Sequence, residues 1–536
     1  MNDGVPRGAL MGASPQRARA QAAALAISCF AFYASVFFIK SAMFAAQWRG
    51  ERAFGVDFKT ALASAHTIGY LAGKAPALAI VPKLERHQFL RASLFIVWLA
   101  AALVGASAAL PPALSVLCIF SACACLSPCW YVLQRSVEGR AFTEAIMSVA
   151  SLSVIGMSGV AKATGAQMLQ RGTSERCMVA WCALGGALLG TVAAVAVGMQ
   201  PPPSAVDVRL RGSRARVASL RVECVLLLSR YGRGIALSTA ALVLCGTVRA
   251  FRDFFHAELL AAAGLQRSPS AFASTELVVC ALVLGVTACF SRVRDNLLAV
   301  RLICAAAAFG GALVAIVNGA WLAGSIGGYA WIVGTGAGTF LAYVPLGTML
   351  YDRLLSAGGE EVTSTPLTLA GDTLVLLATA VLLAASRPVG GSVGYAERGG
   401  VEDDARTVAF DQTARFFARL ALVCGILVAL LTSAGGVALV GAVRQQRRQV
   451  RIRHERSNGA ADARDEAETQ NDERRCDDGG GTVLRGRASG ELPHLLPHGR
   501  IAGGSMGEPG GSKREWHDAE LEHDHSAERG GSSTRR

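Results

Sequence analysis

Runs of about twenty apolar residues recur along this chain of 536 residues and limit what it can fold into. A helix of about 20 such residues crosses a bilayer core of about 30 Å. Charged residues make up 17% of the chain and hydrophobic residues 52%, whereas an ordinary soluble domain is about 25% charged. This balance excludes a multidomain soluble protein, a chain disordered throughout and a coiled coil. The sequence therefore predicts an all-α, polytopic membrane protein.

Twelve spans are predicted, with boundaries good to several residues. They are 20–46, 60–81, 89–110, 112–133, 141–169, 178–199, 234–260, 271–290, 296–317, 321–350, 362–385 and 416–443. Between the sixth and the seventh, residues 200–232 contain three prolines and six arginines. Two related halves joined by a basic loop have this pattern. We expect six-helix bundles at 20–199 and 233–443, joined by a cytoplasmic loop at 200–232.

Basic residues are concentrated in alternate connections between the spans. With residues 1–19 in the cytoplasm, the inner connections hold Lys83, Arg86, Arg91, Arg135, Arg140, the central arginines, Arg292, Arg294, Arg353, Arg444, Arg447 and Arg448. The outer connections at 111–112 and 319–320 carry no charge. The positive-inside rule therefore predicts both termini in the cytoplasm, in a plasma or an organelle membrane. The net charge of +13 is read as an orientation signal, and no nucleic-acid partner is expected.

Residues 444–536 have a different composition from the rest of the chain. They are polar and rich in glycine, arginine and carboxylates, with little aliphatic periodicity. Such a segment does not bury enough apolar surface to offset its ordering entropy, so a disordered cytoplasmic tail is predicted. His517, His523 and His525 fit a solvated acidic segment better than a metal site, and we expect no metal or cofactor.

Several ionisable residues lie inside the predicted spans, where each costs at least ~2.5–3.5 kcal/mol on insertion scales. They are Lys40, Lys74, Lys162, Arg249, Arg252, Asp253, Glu276 and Asp372. Lys40 and Lys162 could snorkel to the membrane surface. Arg249 could pair with Asp253 at i+4, which would leave Arg252 without a local partner. Snorkelling and local ion pairing are therefore alternatives to a functional role for these charges.

Polar residues recur at helical spacing around these charges. His66, Tyr70 and Lys74 share one face of the second span, as do Ser158 and Lys162 in the fifth. Such faces point inward, either to a water-filled cavity or to hydrogen bonds between helices. The cavity is favoured, because hydrogen bonding between helices seldom needs so many lysines and arginines.

Glycines are frequent in the tenth span, from Gly324 to Gly338. A dinucleotide-binding loop needs a preceding strand, which an apolar span does not supply. We therefore interpret these glycines as positions of close helix packing or bending. The sequence contains no motif of an enzyme in a plausible context, and no enzymatic activity is expected.

Three segments carry a resemblance to a known family: WYVLQRSVEGRAFTE at 130–144, SGVAKATG at 158–165 and VRAFRDFF at 248–255. Over residues 25 to 385 the chain resembles a domain-of-unknown-function branch of the major facilitator superfamily. The resemblance implies two six-helix bundles and secondary transport. It implies no substrate, because the branch has none assigned.

The chain also resembles, more distantly, the organophosphate:phosphate antiporters. These carriers hold phosphate with one basic residue in the first span and one in the seventh, which implies roles for Lys40 and for Arg249 or Arg252. The family uses arginine at the first position, and lysine offers a point charge instead of a bidentate fork. The loop at 83–87 lacks the usual Gly-x-x-x-Asp-Arg order, although Glu138 and Arg140 remain as an inner-face charge pair.

These features together predict a secondary transporter that moves a small organic anion, phosphorylated or carboxylated, by alternating access. The expected substrate-binding residues are Lys40, His66, Tyr70, Lys74, Lys162, Arg249 and Arg252. Asp253, Asp372 and Glu144 are expected in coupling or ion pairing, with His66 and Asp372 as candidates for coupling to protons. The expected partners are the bilayer, the anion and protons, and the protein is expected to be a monomer. The alternative is a membrane scaffold or sensor that keeps the fold and acts through its tail.

Overall fold

The computed structural model describes residues 15–48, 50–85, 88–137, 143–200, 220–265, 268–359, 364–385 and 402–477. The chain divides into two compact units, 1–459 and 460–536. In the second unit, the described residues 460–477 are helical. The first unit contains all the other elements discussed below.

Helices account for nearly all of the described structure. The first half of the chain contains α1 (Pro15–Lys40), α2 (Phe58–Ile80), α3 (Phe89–Ser107), α4 (Pro112–Leu126), α5 (Cys129–Val137), α6 (Thr143–Gln170) and α7 (Glu175–Gly198). The second half contains α8 (Leu220–Phe254), α9 (His256–Ala262), α10 (Ser270–Ser291), α11 (Asn296–Leu322), α12 (Gly328–Thr348), α13 (Leu350–Gly358), α14 (Thr365–Ala385) and α15 (Glu402–Asp477). Short 3₁₀ turns follow α1 at Ala42–Ala45 and α2 at Val81–Lys83. The strands β1 (Arg52–Ala53) and β2 (Val56–Asp57) form a small antiparallel hairpin before α2.

Eleven helical segments of the described chain are long and apolar enough to cross a membrane, with α4 and α5 counted together as one. The helix α2, with 23 residues, is also long enough to cross a membrane but is not among these eleven segments. It carries Lys59, His66 and Lys74. With α2, the described residues contain twelve helices of membrane-spanning length. The prediction of an all-α, polytopic fold is confirmed.

Polar residues at the helix ends explain where several of these helices begin. The Asp57 carboxylate accepts a hydrogen bond from the backbone N–H of Thr60 at the start of α2. Ser174 caps α7 and Asp295 caps α11 in the same way. Each cap satisfies a backbone donor that the first turn of a helix leaves unpaired.

The helices pack as two bundles that meet along two pairs of helices. In the first bundle α1 packs on α6 and α7, and α2 on α4; in the second α11 packs on α12, and α14 on α8. Across the two bundles α6 packs against α10, and α2 against α14. Buried apolar side chains fill the interior of each bundle. The charged side chains described below lie where the bundles meet.

Glycines allow close backbone contact at several of these crossings. A Cβ atom on Gly338 would lie 2.6 Å from the carbonyl oxygen of Gly310 on α11, so α11 and α12 touch backbone to backbone. On α6, a Cβ on Gly159 would lie 2.5 Å from the Glu276 side chain and from the carbonyl oxygen of Phe272 on α10. The interpretation of the glycines as packing positions agrees with these contacts.

Several predicted boundaries differ from the observed ones, among them three around the middle of the chain. The tenth span was predicted to begin at residue 321, but Trp321 lies in the last turn of α11 and the next span begins at Gly328, because Gly324 (φ +72°) follows the end of α11. The helix α8 starts at Leu220, inside the predicted loop 200–232, of which residues 201–219 lie outside the described chain. The predicted seventh span, 234–260, is broken after Phe254.

The predicted tail 444–536 is helical in its first part, because α15 continues to Asp477. Residues 444–477 are rich in arginine, glutamine, alanine and glutamate, which favour helix, and Arg451 pairs with Glu455 at i+4. Residues 478–536 lie outside the described chain. The prediction of disorder from residue 444 onward is therefore wrong at its start.

Gly159→Ala should destabilise the contact between α6 and α10. The added methyl group would overlap Glu276 and the Phe272 carbonyl, and overpacking of this kind costs ~1–3 kcal/mol. Thermal unfolding in detergent measures the effect. The matched control is Gly185→Ala on α7, where a Cβ meets no atom within 4 Å and the melting temperature should not fall. An equal response of the two variants would contradict this account of the packing.

Candidate functional site

A buried lysine of the first bundle pairs with an aspartate of the second. Lys162 on α6 is 1% exposed, and its ammonium group bonds the carboxylate of Asp253 on α8. The same ammonium donates to the Asp253 backbone carbonyl at 2.6 Å, and the Ser158 hydroxyl donates to the carboxylate at 2.5 Å. An isolated charge in this position would be costly, so each ion requires the other.

A second pair of the same kind joins α2 to α14. Lys74 Nζ lies 2.9 Å from a carboxylate oxygen of Asp372 and 2.8 Å from the hydroxyl oxygen of Tyr131 on α5. The Asp372 side chain is 35% exposed, so this pair is less enclosed than the pair of Lys162.

A third pair lies near the hairpin. Lys59, at the start of α2, bonds Glu258 on α9 at 2.6 Å, and both side chains are largely buried. In all three pairs the lysine belongs to the first bundle and the carboxylate to the second. All three ion pairs between the bundles therefore have the same orientation, with the cation on the first bundle and the anion on the second.

Arg252 makes a buried ion pair within the second bundle. Its guanidinium lies 2.7 Å from Glu276 on α10 and 3.4 Å from the carbonyl oxygen of Ile332 on α12. A Cβ on Gly336 would lie 2.7 Å from this guanidinium, so the glycine makes the space that Arg252 fills. Arg252, for which the sequence offered no local partner, therefore pairs with Glu276 on a neighbouring helix.

Two cations differ from those described so far. Lys40, at the end of α1, stands over the rings of Phe37 and Tyr70, at 4.6 and 4.4 Å from their centroids. Arg249 on α8 stands 4.9 Å from the ring of Tyr343 on α12, and its buried Nε has no hydrogen-bond partner within the described segments. Neither of these two cations has a carboxylate partner in the part of the chain that the structure describes. Cation–π contacts compensate a buried charge only in part.

These two cations face a common aromatic region. The His66 ring lies 4.9 Å from the Tyr70 ring and 5.2 Å from that of Phe254 on α8. Lys40 and Arg249 are within Coulombic range of each other and of Asp253. His66 Nδ1 and the Tyr70 hydroxyl are buried and lack hydrogen-bond partners among the described residues. We call Lys40, His66, Tyr70, Arg249 and Tyr343 the central site.

The structure decides several local alternatives left open by the sequence. Lys162 and Lys40 do not snorkel, since the first is paired in the interior and the second turns over aromatic rings. The i+4 pair of Arg249 with Asp253 is not formed, because that carboxylate turns to α6. His66, Tyr70 and Lys74 are all buried on α2.

Three predicted residues lie beyond what the structure describes. Glu138 and Arg140 fall in the gap at 138–142, and Glu144 is in α6, but its side chain is among those left undescribed. Their roles as a gate and an ion pair remain predictions.

Sequence reasoning missed four side chains near the site, namely Lys59, Tyr131, His256 and Tyr343. His256 follows Arg252 at i+4 and Arg249 at i+7, and this spacing could have revealed it. Tyr343 lies in a glycine-rich apolar run and gives no comparable signal.

Comparison with known proteins identifies a family and a fold. The profile of a family of unknown function, DUF5690, matches residues 42–395. No curated protein sequence matches the chain.

Among solved structures, the chain resembles a D-xylose–proton symporter with a TM-score of 0.53 and 10% identity, over 78% of this chain and 97% of that one. It also resembles a bacterial homologue of the human lysosomal transporter Spinster (0.51, 12% identity, 81% and 99%) and the nucleoside transporter NupG (0.50, 10%, 77% and 98%). At these identities the likeness concerns the fold, which is that of the major facilitator superfamily.

Lys162→Met should destabilise the protein strongly, because it leaves Asp253 buried without its cation. Breaking a buried pair on one side costs ~3–5 kcal/mol, whereas the double variant Lys162→Met/Asp253→Asn should recover much of this loss. Melting temperatures in detergent of both single variants and the double variant measure the coupling. Lys74→Met serves as the comparison and should cost less, because Asp372 is partly solvated. Additive effects of the two single substitutions would contradict the pairing.

Proposed function

The chain belongs to the DUF5690 family and has the fold of the major facilitator superfamily, and from this premise we propose that it is a secondary transporter of a small organic anion. The observation that carries the proposal is the presence of two half-buried cations, Lys40 and Arg249, that make no close ion pair with a carboxylate among the described residues. Buried charges are retained in membrane proteins where a function requires them. An anion would neutralise both.

The neighbouring pairs support this interpretation. Lys59, Lys74, Lys162 and Arg252 each have an acidic partner within 3 Å. Their charges are compensated by the protein itself, so they have less need of an external anion. We therefore restrict direct anion binding to Lys40 and Arg249, and assign the paired cations to holding the bundles and shaping the potential around the site.

The remaining groups of the central site suit a carboxylate or a phosphate. The unpartnered Tyr70 hydroxyl can donate to an anionic oxygen, and so can His66 Nδ1 when it carries a hydrogen. The guanidinium of Arg249 offers a bidentate fork, whereas Lys40 offers a point charge. Tyr343 and Phe254 add apolar surface for the organic part of the solute.

Alternating access follows from the position of the site between the bundles. The pairs of Lys59 and Lys162 involve α9 and α6, which both contact the 3₁₀ turn after α1, whereas Lys74 lies toward the other end of α2. Opening one side requires the pairs on that side to separate while those on the other side hold. In this scheme, the bundles rock about a solute held between α1 and α8.

Substitution of the unpaired cations should strongly reduce anion uptake. We expect Arg249→Gln and Lys40→Gln each to reduce uptake roughly tenfold or more, since a hydrogen bond to a charged group contributes ~1.5–3 kcal/mol. Uptake into proteoliposomes would be measured for inorganic phosphate, a sugar phosphate and a dicarboxylate.

The matched control is Arg176→Gln. Arg176 bonds Glu51 at 2.8 Å within the first bundle, away from the central site, and its loss should leave uptake near the wild-type level. Equal uptake by the wild type and Arg249→Gln would remove Arg249 from the mechanism. The scaffold hypothesis predicts the reverse pattern, in which truncation after residue 459 abolishes the protein's cellular role and Arg249→Gln does not.

A further inference from the structure

A buried histidine lies beside the ion pairs and has no role in the central site. His256, the first residue of α9, is fully buried, and neither of its ring nitrogens has a hydrogen-bond partner among the described residues. Its Nδ1 lies 3.6 Å from the Glu276 carboxylate, just beyond hydrogen-bonding distance. The ring contacts Phe272 edge-on at 5.1 Å. A buried imidazole with two unpaired nitrogens is costly in a merely structural role.

The charges around this histidine are balanced. The charged groups near it are Lys59 from α2, Lys162 from α6, Arg252 and Asp253 from α8 and Glu276 from α10, and Lys59 is itself paired with Glu258 from α9. The helix α12 carries no Asp, Glu, Lys, Arg or His, and its Ile332 carbonyl accepts a hydrogen bond from Arg252. Three cations and three carboxylates sum to zero while the imidazole is neutral. One added proton therefore gives the cluster a net charge.

We propose that His256 and Glu276 form a proton-binding site that couples proton movement to the separation of the two bundles. The proposal rests on the proposed transport function and adds the coupling ion and its binding groups. The pair is distinct from His66 and Asp372, which the sequence suggested for this role. It lies at the contact of α6 with α10, where Gly159 lets α6 approach Glu276.

The geometry links the proton to the contact between the bundles. Glu276 is the ion-pair partner of Arg252, and Arg252 is adjacent in sequence to Asp253, the partner of Lys162. Protonation of Glu276, or sharing of a proton between Glu276 and His256, weakens the ion pair between Glu276 and Arg252. The freed guanidinium then competes with Lys162 for Asp253. Because the pair of Lys162 and Asp253 joins the bundles, its weakening favours their separation on this side.

The proton is taken up from water and returned to water. In the closed arrangement, burial and the three nearby cations favour a neutral imidazole. When the bundles part beside α9, water reaches His256 and Glu276, and one of them gains a proton, forming one N–H or O–H bond. Closure returns the proton to water, and no other bond forms or breaks.

Distance measurements between the bundles at several pH values test the proposal without any solute. Spin labels would be placed at Arg171→Cys, after α6, and Ser325→Cys, after α11, in a background free of native cysteines; both positions are exposed. In the full chain in lipid, lowering the pH should increase the population with the labels far apart. In His256→Gln and Glu276→Gln this dependence on pH should be lost.

The matched control is Thr275→Val, an isosteric change next to Glu276 whose hydroxyl bonds only backbone carbonyls of α10. It should respond to pH as the wild type does. If the wild-type distance does not change with pH, or if both variants keep the change, the proton site is wrong.

A second measurement follows the carboxyl group directly. The infrared difference spectrum between high and low pH should contain a protonated-carboxyl band that Glu276→Gln removes and His256→Gln shifts. A band unaltered in both variants would overturn the assignment. A protein that takes up anions but shows no pH-dependent separation contradicts the proton site alone, whereas pH-dependent separation without any anion uptake contradicts the transport proposal alone.

Discussion

The structure depends on the requirement that a charge buried among transmembrane helices be compensated. Hydrocarbon offers no water to solvate an ammonium or a carboxylate, so an ion there is tolerated mainly with a partner. Lys59, Lys74 and Lys162 meet this requirement across the contact between the bundles. Lys40 and Arg249 do not meet it among the described residues, and that difference separates ions that hold the protein together from ions available to a ligand.

The fold was largely predictable because it depends on long-range averages of the sequence. Apolar runs of about twenty residues identify spans whatever their packing partners, and the division into six and six follows from the break after the sixth span. Local boundaries were harder to predict. The break after Phe254 and the start of α12 at Gly328 depend on single backbone conformations that a hydropathy window does not resolve.

The site was predictable in its residues but less so in its pairings. Lys40, Lys162 and Arg249 attract attention in any sequence, because charge is rare in a membrane span. Which carboxylate each one meets depends on helix packing. Asp253 appeared to suit Arg249 because helical neighbours at i+4 are visible in the sequence, whereas its actual partner is 91 residues away in the chain. Contacts at such separations leave no local pattern.

In the ion pairs of Lys59, Lys74 and Lys162 the cation always belongs to the first bundle, and this has a consequence for assembly. Each bundle by itself would present three ions of one sign toward lipid: lysines on the first, carboxylates on the second. The first bundle is synthesised earlier, and it must keep those lysines hydrated or bound to lipid phosphates until α8, α9 and α14 arrive. Docking of the second bundle supplies the counter-charge for each of these lysines, so the complementary charges of the two halves favour their association.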